Sequence, residues 1–466
     1  MNNFNFFDDI DNLNQLLPNR KRILLFGWLF GWTYFIVVLW FLSIQWAATF
    51  DIFRHAFFLP IGFFAVLGEI IRILTIIFLV LLFLFVSAVY LYGHSTQHSF
   101  KLFKRASQVF ILVLLLVFPT VFLTWSFMPP QTSSKPPTLL LTEQVGIHGV
   151  PNLAVYWYSD TPSQETLQYG QYGLPNSINH TENTLTQQHT FFLTDLLPNT
   201  TYWYHVSSHA ENYTFTTPSA NEFRMSIGAD LHFGTSKLNL TNFHSLMQYT
   251  QQNNDMSLFL GDLTEYGFDS EWNEFFTHMT PYIQTTPYAT AIGNHDAFFN
   301  NKPLFRTYLR PDSVYTQTPN TNYHYLRLNA FTHVLLLNFK WDYRSVTPAQ
   351  EQWILETLEQ IPADDMCFVM GHASFLHSSE MQTLLTPHAH KIDGFFSGHY
   401  HIFNTTTVLD TPFYFVGTMS QYNIHRGTTM SPYPHAGMVD VIVNATGFSV
   451  EYRDYTNTTL VRYDHF

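Results

Sequence analysis

The sequence has 466 residues, a formal net charge of -13 and only 12% charged residues. That balance supplies no basic stripe for contacts to a phosphate backbone, so nucleic acid is excluded as a partner. The length exceeds one ordinary core, and the averages join two materials: long apolar runs up to about residue 127, then an alternation of apolar, polar and turn residues.

In chain order, residues 1–22 read as a cytoplasmic segment ending in Arg20-Lys21-Arg22. Residues 23–46 are an apolar run longer than the roughly 20 residues a helix needs to cross a bilayer. Basic residues ahead of so long a run describe a signal anchor, because a cleaved signal peptide has an apolar stretch of only about 7–15 residues. A second stretch, 56–92, is interrupted by Glu69 and Arg72, which predicts a re-entrant or interfacial piece before a span near 73–92; another span covers about 108–127. Lys101, Lys104 and Arg105 favour the cytoplasm, so three spans, with four as the alternative, are expected to leave the rest of the chain on the non-cytoplasmic side. The expectation is an integral membrane protein with a membrane domain at 23–127 in the lipid bilayer. Residues 128–137, MPPQTSSKPP, suit a stiff spacer.

From 138 to 218 short alternating runs such as Leu153-Ala154-Val155-Tyr156-Trp157-Tyr158 and Tyr202-Trp203-Tyr204-His205-Val206 are separated by turn residues. Strands at that spacing predict a small all-β sandwich. The segments Tyr169-Gly170, then Leu196-Leu197-Pro198-Asn199-Thr200-Thr201-Tyr202, then Phe215-Thr216-Thr217-Pro218 resemble the fibronectin type III-like domain that precedes the catalytic domain of purple acid phosphatases.

Residues 219–466 carry five short polar motifs, each after an apolar β-like run: Asp230-Leu231-His232, Gly261-Asp262, Gly293-Asn294-His295-Asp296, Gly371-His372 and Gly398-His399-Tyr400-His401. Layered α/β folds place their sites at the C-terminal ends of strands. Divalent first-row metals take imidazole nitrogen and carboxylate or amide oxygen, and a two-metal site needs one ligand able to bridge. The glycines ahead of Asp262, Asn294, His372 and His399 are expected to let the backbone turn off each strand. Cys367, in the apolar run 366–370, reads as a buried small side chain, and as the single cysteine it excludes an intrachain disulfide.

The five motifs in this order resemble the calcineurin-like metallophosphoesterase superfamily over most of residues 224–443, and with the preceding domain they look most like its purple acid phosphatase branch. The chain is therefore expected to be multi-domain: the apolar runs give N-terminal transmembrane helices, and the resemblance implies a fibronectin type III-like sandwich and an α/β four-layer metallophosphoesterase domain. It implies two divalent metal ions (Fe, Mn or Zn), with Asp230, His232 and His401 on the first, Asn294, His372 and His399 on the second, and Asp262 between them. His295 would face the substrate phosphate and stabilise charge or protonate the leaving oxygen, and a hydroxide on the metals would attack phosphorus. Asp296 is placed to orient His295. The segment 346–355, with Gln350, Trp353 and Leu355, looks like a helix of that branch.

Two departures matter. Where purple acid phosphatases have a tyrosine three residues after the bridging aspartate, this chain has Glu265, with Tyr266 one step on; and it has His232, which those enzymes lack. An imidazole is thus expected in place of the phenolate, with no purple colour. His388 and His390 read as surface residues, and His377 as a solvated loop residue, with a second substrate-facing histidine as the alternative. The substrate implied is a phosphorylated small molecule or ester. A phosphodiesterase or pyrophosphatase on the same scaffold, and an inactive binding protein, are the rival readings, and no oligomeric state follows. Seven Asn-x-Ser/Thr sequons, beginning with Asn179 and Asn199, do not fix a secretory route.

Overall fold

A computed structural model describes residues 132–235, 238–297, 302–340, 345–420 and 436–466. The expected spans within 23–127, with Glu69 and Arg72, lie outside these residues, and no described helix is long and apolar enough to cross a membrane. The fold class is corrected accordingly: the transmembrane helices drop out of it, and what the described residues form is α/β.

A six-stranded sheet is built from β11 (His324–Asn329), β12 (Thr332–Leu337), β13 (Met366–Gly371), β14 (Gly394–Ser397), β16 (Thr411–Val416) and β15 (Phe403–Val408), side by side in that order. Its four central strands, β12, β13, β14 and β16, run parallel. Parallel strands are covered on both faces, and this sequence provides for it. Phe368, Met370, Phe396 and Tyr414 enter the main core, while Cys367, Val369, Phe395 and Phe413 enter a second core with Ile354, Leu358 and Met381. A one-residue slip would exchange the two sets. The helical side of the second core is α4 (Pro348–Gln360), capped by the Thr347 side chain with Pro348 in its first turn, and α5 (Ser379–Leu385), capped by Ser378.

The second large sheet is nine-stranded: β19 (Thr459–His465), β18 (Gly447–Asp454), β17 (Gly437–Asn444), β8 (Glu222–Gly228), β9 (Met256–Leu260), β10 (Tyr288–Ala291), β1 (Lys135–Val145), β2 (Pro151–Ser163) and β5 (Thr186–Leu193). Ring contacts join the two sheets, with Phe368 against Phe448 at 5.1 Å and Phe403 stacked on Tyr452 at 4.1 Å. Phe233, just after β8, meets Phe243 of α1 (Leu240–Asn253) and Phe275 of α2 (Asp269–Ile283). The smaller α3 (Lys302–Tyr308) completes the described helices.

The expected sandwich is joined to the rest of the fold more closely than its sequence suggests. β3 (Thr166–Gln171), β4 (Ile178–Thr181), β6 (Thr201–Val206) and β7 (Asn212–Thr216) form a separate four-stranded sheet in the order β4-β3-β6-β7, but β1, β2 and β5 extend the nine-stranded one through the parallel pair Leu140↔Tyr288. Buried polar contacts reinforce the junction: Tyr204 donates to the Gln284 carbonyl (2.9 Å), and Lys135 pairs with Asp269 (2.8 Å). β1 begins at Lys135, inside the expected spacer.

Candidate metal centre

The ends of β8, β9, β10, β13 and β14 converge, and the motif residues follow them directly. Their backbone is unusual. Asp230, His232, Asp262, His399 and His401 all have left-handed φ, between 51° and 74°. For a residue with a Cβ that conformation costs roughly 1–2 kcal/mol, and it persists only where the surroundings over-determine it. The turns expected from the glycines are therefore made mostly by the motif residues themselves. Gly261, at φ 81°, does share in one turn. Gly293 is needed for closeness instead, since a Cβ there would lie 2.0 Å from the Asp262 amide nitrogen.

Backbone hydrogen bonds fix these turns. Past the strands the ladder continues from Asp230 N–H to the Gly261 carbonyl (3.0 Å) and from His232 N–H to the Asp262 carbonyl (2.9 Å). Each aspartate then commits one oxygen to a neighbouring motif: Asp230 Oδ2 accepts from His399 N–H, and Asp262 Oδ1 from His295 N–H, both at 2.9 Å. The other oxygens face the histidines. Asp230 Oδ1, buried without a hydrogen bond, is 3.3 Å from His401 Nε2 and 3.9 Å from His232 Nε2. Asp262 Oδ2 is 3.0 Å from His372 Nε2 and 3.9 Å from both His232 Nε2 and His295 Nε2.

Three imidazoles are oriented alike. His232 Nδ1 lies 2.8 Å from Glu265 Oε2, His372 Nδ1 2.8 Å from the Leu260 carbonyl and His295 Nδ1 2.7 Å from the Glu265 carbonyl. With Nδ1–H donating outward, each Nε2 lone pair points inward, the arrangement metal-binding histidines use. His232 Nε2 is 3.2 Å from His401 Nε2, and His372 Nε2 is 3.2 Å from His399 Nδ1 and 3.1 Å from Asn294 Oδ1. Lone pairs this close repel unless a proton or cation lies between them. The donors fall into three groups able to hold a cation: Asp230, His232 and His401; Asp262, His372 and His399; and His232, Asp262 and His295. Imidazole nitrogen with carboxylate and amide oxygen suits divalent first-row metals, so these residues fit the cofactor that the sequence implies.

The charge balance agrees. Burial opposes ionisation of Asp262, but the His372, His295 and His232 imidazoles outweigh it and hold this carboxyl well below its usual range. Burial likewise opposes protonation of His372, yet Asp262 and Asp230 pull it up to about 9. His399 is pushed down to about 4, by burial first and then by His372. Metal binding to such a set displaces protons.

All seven expected ligands and His295 thus come together. Asp296 does not serve as expected: it turns into the interior, where its carboxylate accepts from Thr264 N–H and hydroxyl and from Gly293 N–H. The Glu265 carbonyl holds the His295 ring instead. His377 is exposed, and His388 and His390 lie apart on a short 3-10 turn, Thr386–Lys391. Cys367 is buried, which pushes its thiol up. Sequence reading missed the part of Glu265 behind His232, although it marked that position as a departure. It also missed a small pocket, open to solvent, that borders Asn294 and His372.

No curated protein matches the chain by sequence. Among solved structures, a purple acid phosphatase from yellow lupin (Lupinus luteus) seeds superposes with a TM-score of 0.55 at 16% identity, over 71% of this chain and 74% of its own, a likeness of fold. A dimetal phosphatase from Danio rerio gives 0.39 at 10% identity, over 50% of this chain and 96% of its own. The GAP50 anchor of the Plasmodium inner membrane complex also gives 0.39, at 13% identity, over 52% and 88%. The family model described as calcineurin-like phosphoesterase matches residues 223–403, which include all five motifs, so this part of the chain is a calcineurin-like metallophosphoesterase domain, of a family that implies divalent metal cofactors.

Proposed function

We propose that the chain is a binuclear phosphoesterase, with Asp230, His232 and His401 holding one divalent cation, Asn294, His372 and His399 holding a second, and Asp262 shared. The observation that carries this reading is Asp262 Oδ2, which faces His372 Nε2 at 3.0 Å on one side and His232 Nε2 at 3.9 Å on the other. Bound divalent cations supply Lewis acidity toward the phosphoryl oxygens and lower the pKa of water toward 7.

The chain's own groups do the rest. Glu265 and the Leu260 carbonyl hold Nδ1–H of His232 and His372 outward, so Nε2 is the nitrogen each offers for ligation once its proton is displaced. His295, with a side chain 26% exposed, stands on the open side of the cluster. While the Glu265 carbonyl retains Nδ1–H, a proton on Nε2 of the imidazolium is free to pass to a departing oxygen. A second reading has its own support: His295 also forms a possible cation group with His232 and Asp262, which would make it a ligand. Its neighbour Asn294 points to the other group, at 3.1 Å from His372 Nε2, so the two adjacent side chains serve different sides. The seven strands from β1 to β7, split three and four between two sheets, support reading the preceding region as fibronectin type III-like.

The test is metal analysis of the purified chain together with a screen of phosphomonoesters, phosphodiesters and pyrophosphate. Stoichiometric metal and metal-dependent turnover are expected. A chain that takes up metal and turns over none of these substrates is the inactive binding protein, and the proposal fails.

A further inference from the structure

The pocket beside the second cation group carries information about the substrate. Its walls include Asn294 and His372 of the cation groups together with Asn338, Phe339, Lys302 and Lys340. Four lysines fall among the described residues. Lys135 is bonded to Asp269, and Lys391 donates to the carbonyls of Leu358, Glu359 and Ile361. The remaining two are the pair in this pocket, and no described carboxylate forms an ion pair with either. Burial lowers the Lys302 pKa, with no opposing charge to raise it. A protein of net charge -13 thus places its two unpaired described ammonium groups against one edge of its metal centre.

The wall is also fixed in place. With its amide turned so that both atoms are satisfied, the buried Gln350 side chain donates to the Asn338 carbonyl (2.9 Å) and accepts from Asn338 N–H (3.1 Å). That clamps the segment presenting Phe339 and Lys340. Two amides, two ammonium groups and one aromatic ring suit an anion of more than one charge better than they suit a neutral alcohol.

Resting on the phosphoesterase reading above, we propose that this pocket binds a second phosphate, next to the scissile one, so that the preferred substrates are diphosphates. Lys302 and Lys340 are then specificity-determining residues: they contact the phosphate that leaves.

The test compares kcat/KM for p-nitrophenyl phosphate, inorganic pyrophosphate and adenosine diphosphate at fixed free metal, in the full chain and in Lys302→Ala/Lys340→Ala. Charged hydrogen bonds of this kind support a loss for the diphosphates that exceeds the loss for p-nitrophenyl phosphate by about ten- to hundredfold, and Lys302→Arg/Lys340→Arg should recover most of it. A response with pyrophosphate alone assigns the pocket to a bare phosphate. A response with both assigns it to a phosphate carrying an ester. Equal losses on all three substrates, or no loss, overturn the second-phosphate pocket while leaving the phosphoesterase reading intact. A wild-type chain that turns over none of them fails that reading first.

Discussion

The four-stranded sheet region and the metal centre use the same backbone conformation for opposite reasons. In the first, the left-handed residues other than glycine are Asp195 and Asn199, in the turns between β5 and β6, types whose short polar side chains tolerate that conformation. In the second they include His232, His399 and His401, whose bulkier rings are packed beside buried aspartates. The difference teaches where local preference ends. Around β6 and β7 the alternation of buried Tyr202, Tyr204, Tyr213 and Phe215 with exposed Thr201, Thr214 and Thr216 and half-buried Trp203 and His205 is consistent at every level. At the strand ends, convergence of donors on shared points overrides it, as functional sites do.

The most severe way to break the centre is Asp262→Asn, which weakens the one carboxylate common to both sides. Hydrolysis should fall to background and bound metal should drop in the same samples. Two full metal equivalents with normal turnover would remove the shared ligand from the proposal. Next comes His295→Ala. As a proton donor its loss should lower the rate by roughly 10²–10⁴ with metal content retained, less so for esters with good leaving groups. Loss of a metal equivalent would make it a ligand instead. Smaller still is Glu265→Gln, which keeps the shape but removes the charge behind His232. Partners of that kind are worth about 10–100-fold in metal affinity or activity, so a metal titration should shift by that much.

Much of the centre was legible because each donor follows an apolar run within a few residues, and strand ends are where α/β folds put their sites. What stayed hidden depends on contacts distant in sequence. The pairing of Leu140 with Tyr288 joins β1 to β10, and no local pattern announces it, so the first seven strands read as a separate module. Glu265 showed as a departure from a family pattern, but its contact with His232 appears only when the turns after β8 and β9 are laid side by side. Lys302 and Lys340 are 38 residues apart, and only the fold lines one pocket with both. Asp296 misled for a physical reason: adjacency to His295 suggested a partner, whereas the turn sends its side chain to backbone donors in the interior.

The smallest predicted effect tests the comparison most directly, because it separates strain from chemistry. If the left-handed turns at the centre are held for ligation, a residue better suited to them should stabilise the metal-free fold while losing function. His399, at φ 74° and only partly buried, is the best position for this. His399→Asn keeps a polar side chain and places there a type that visits the left-handed region readily, so it should recover about 1 kcal/mol of the conformational cost. In the chelated protein that corresponds to a rise of roughly 2 °C in Tm, and turnover and metal content should both fall. The mirror experiment is Asn199→Ala, at φ 48° in the turn before β6, where the native residue already suits its conformation. It should lower Tm by a similar amount and leave metal content alone. If both substitutions lower the Tm of the chelated protein, the centre's turns are as well matched to their residues as the sheet's are, and the contrast between the two regions fails.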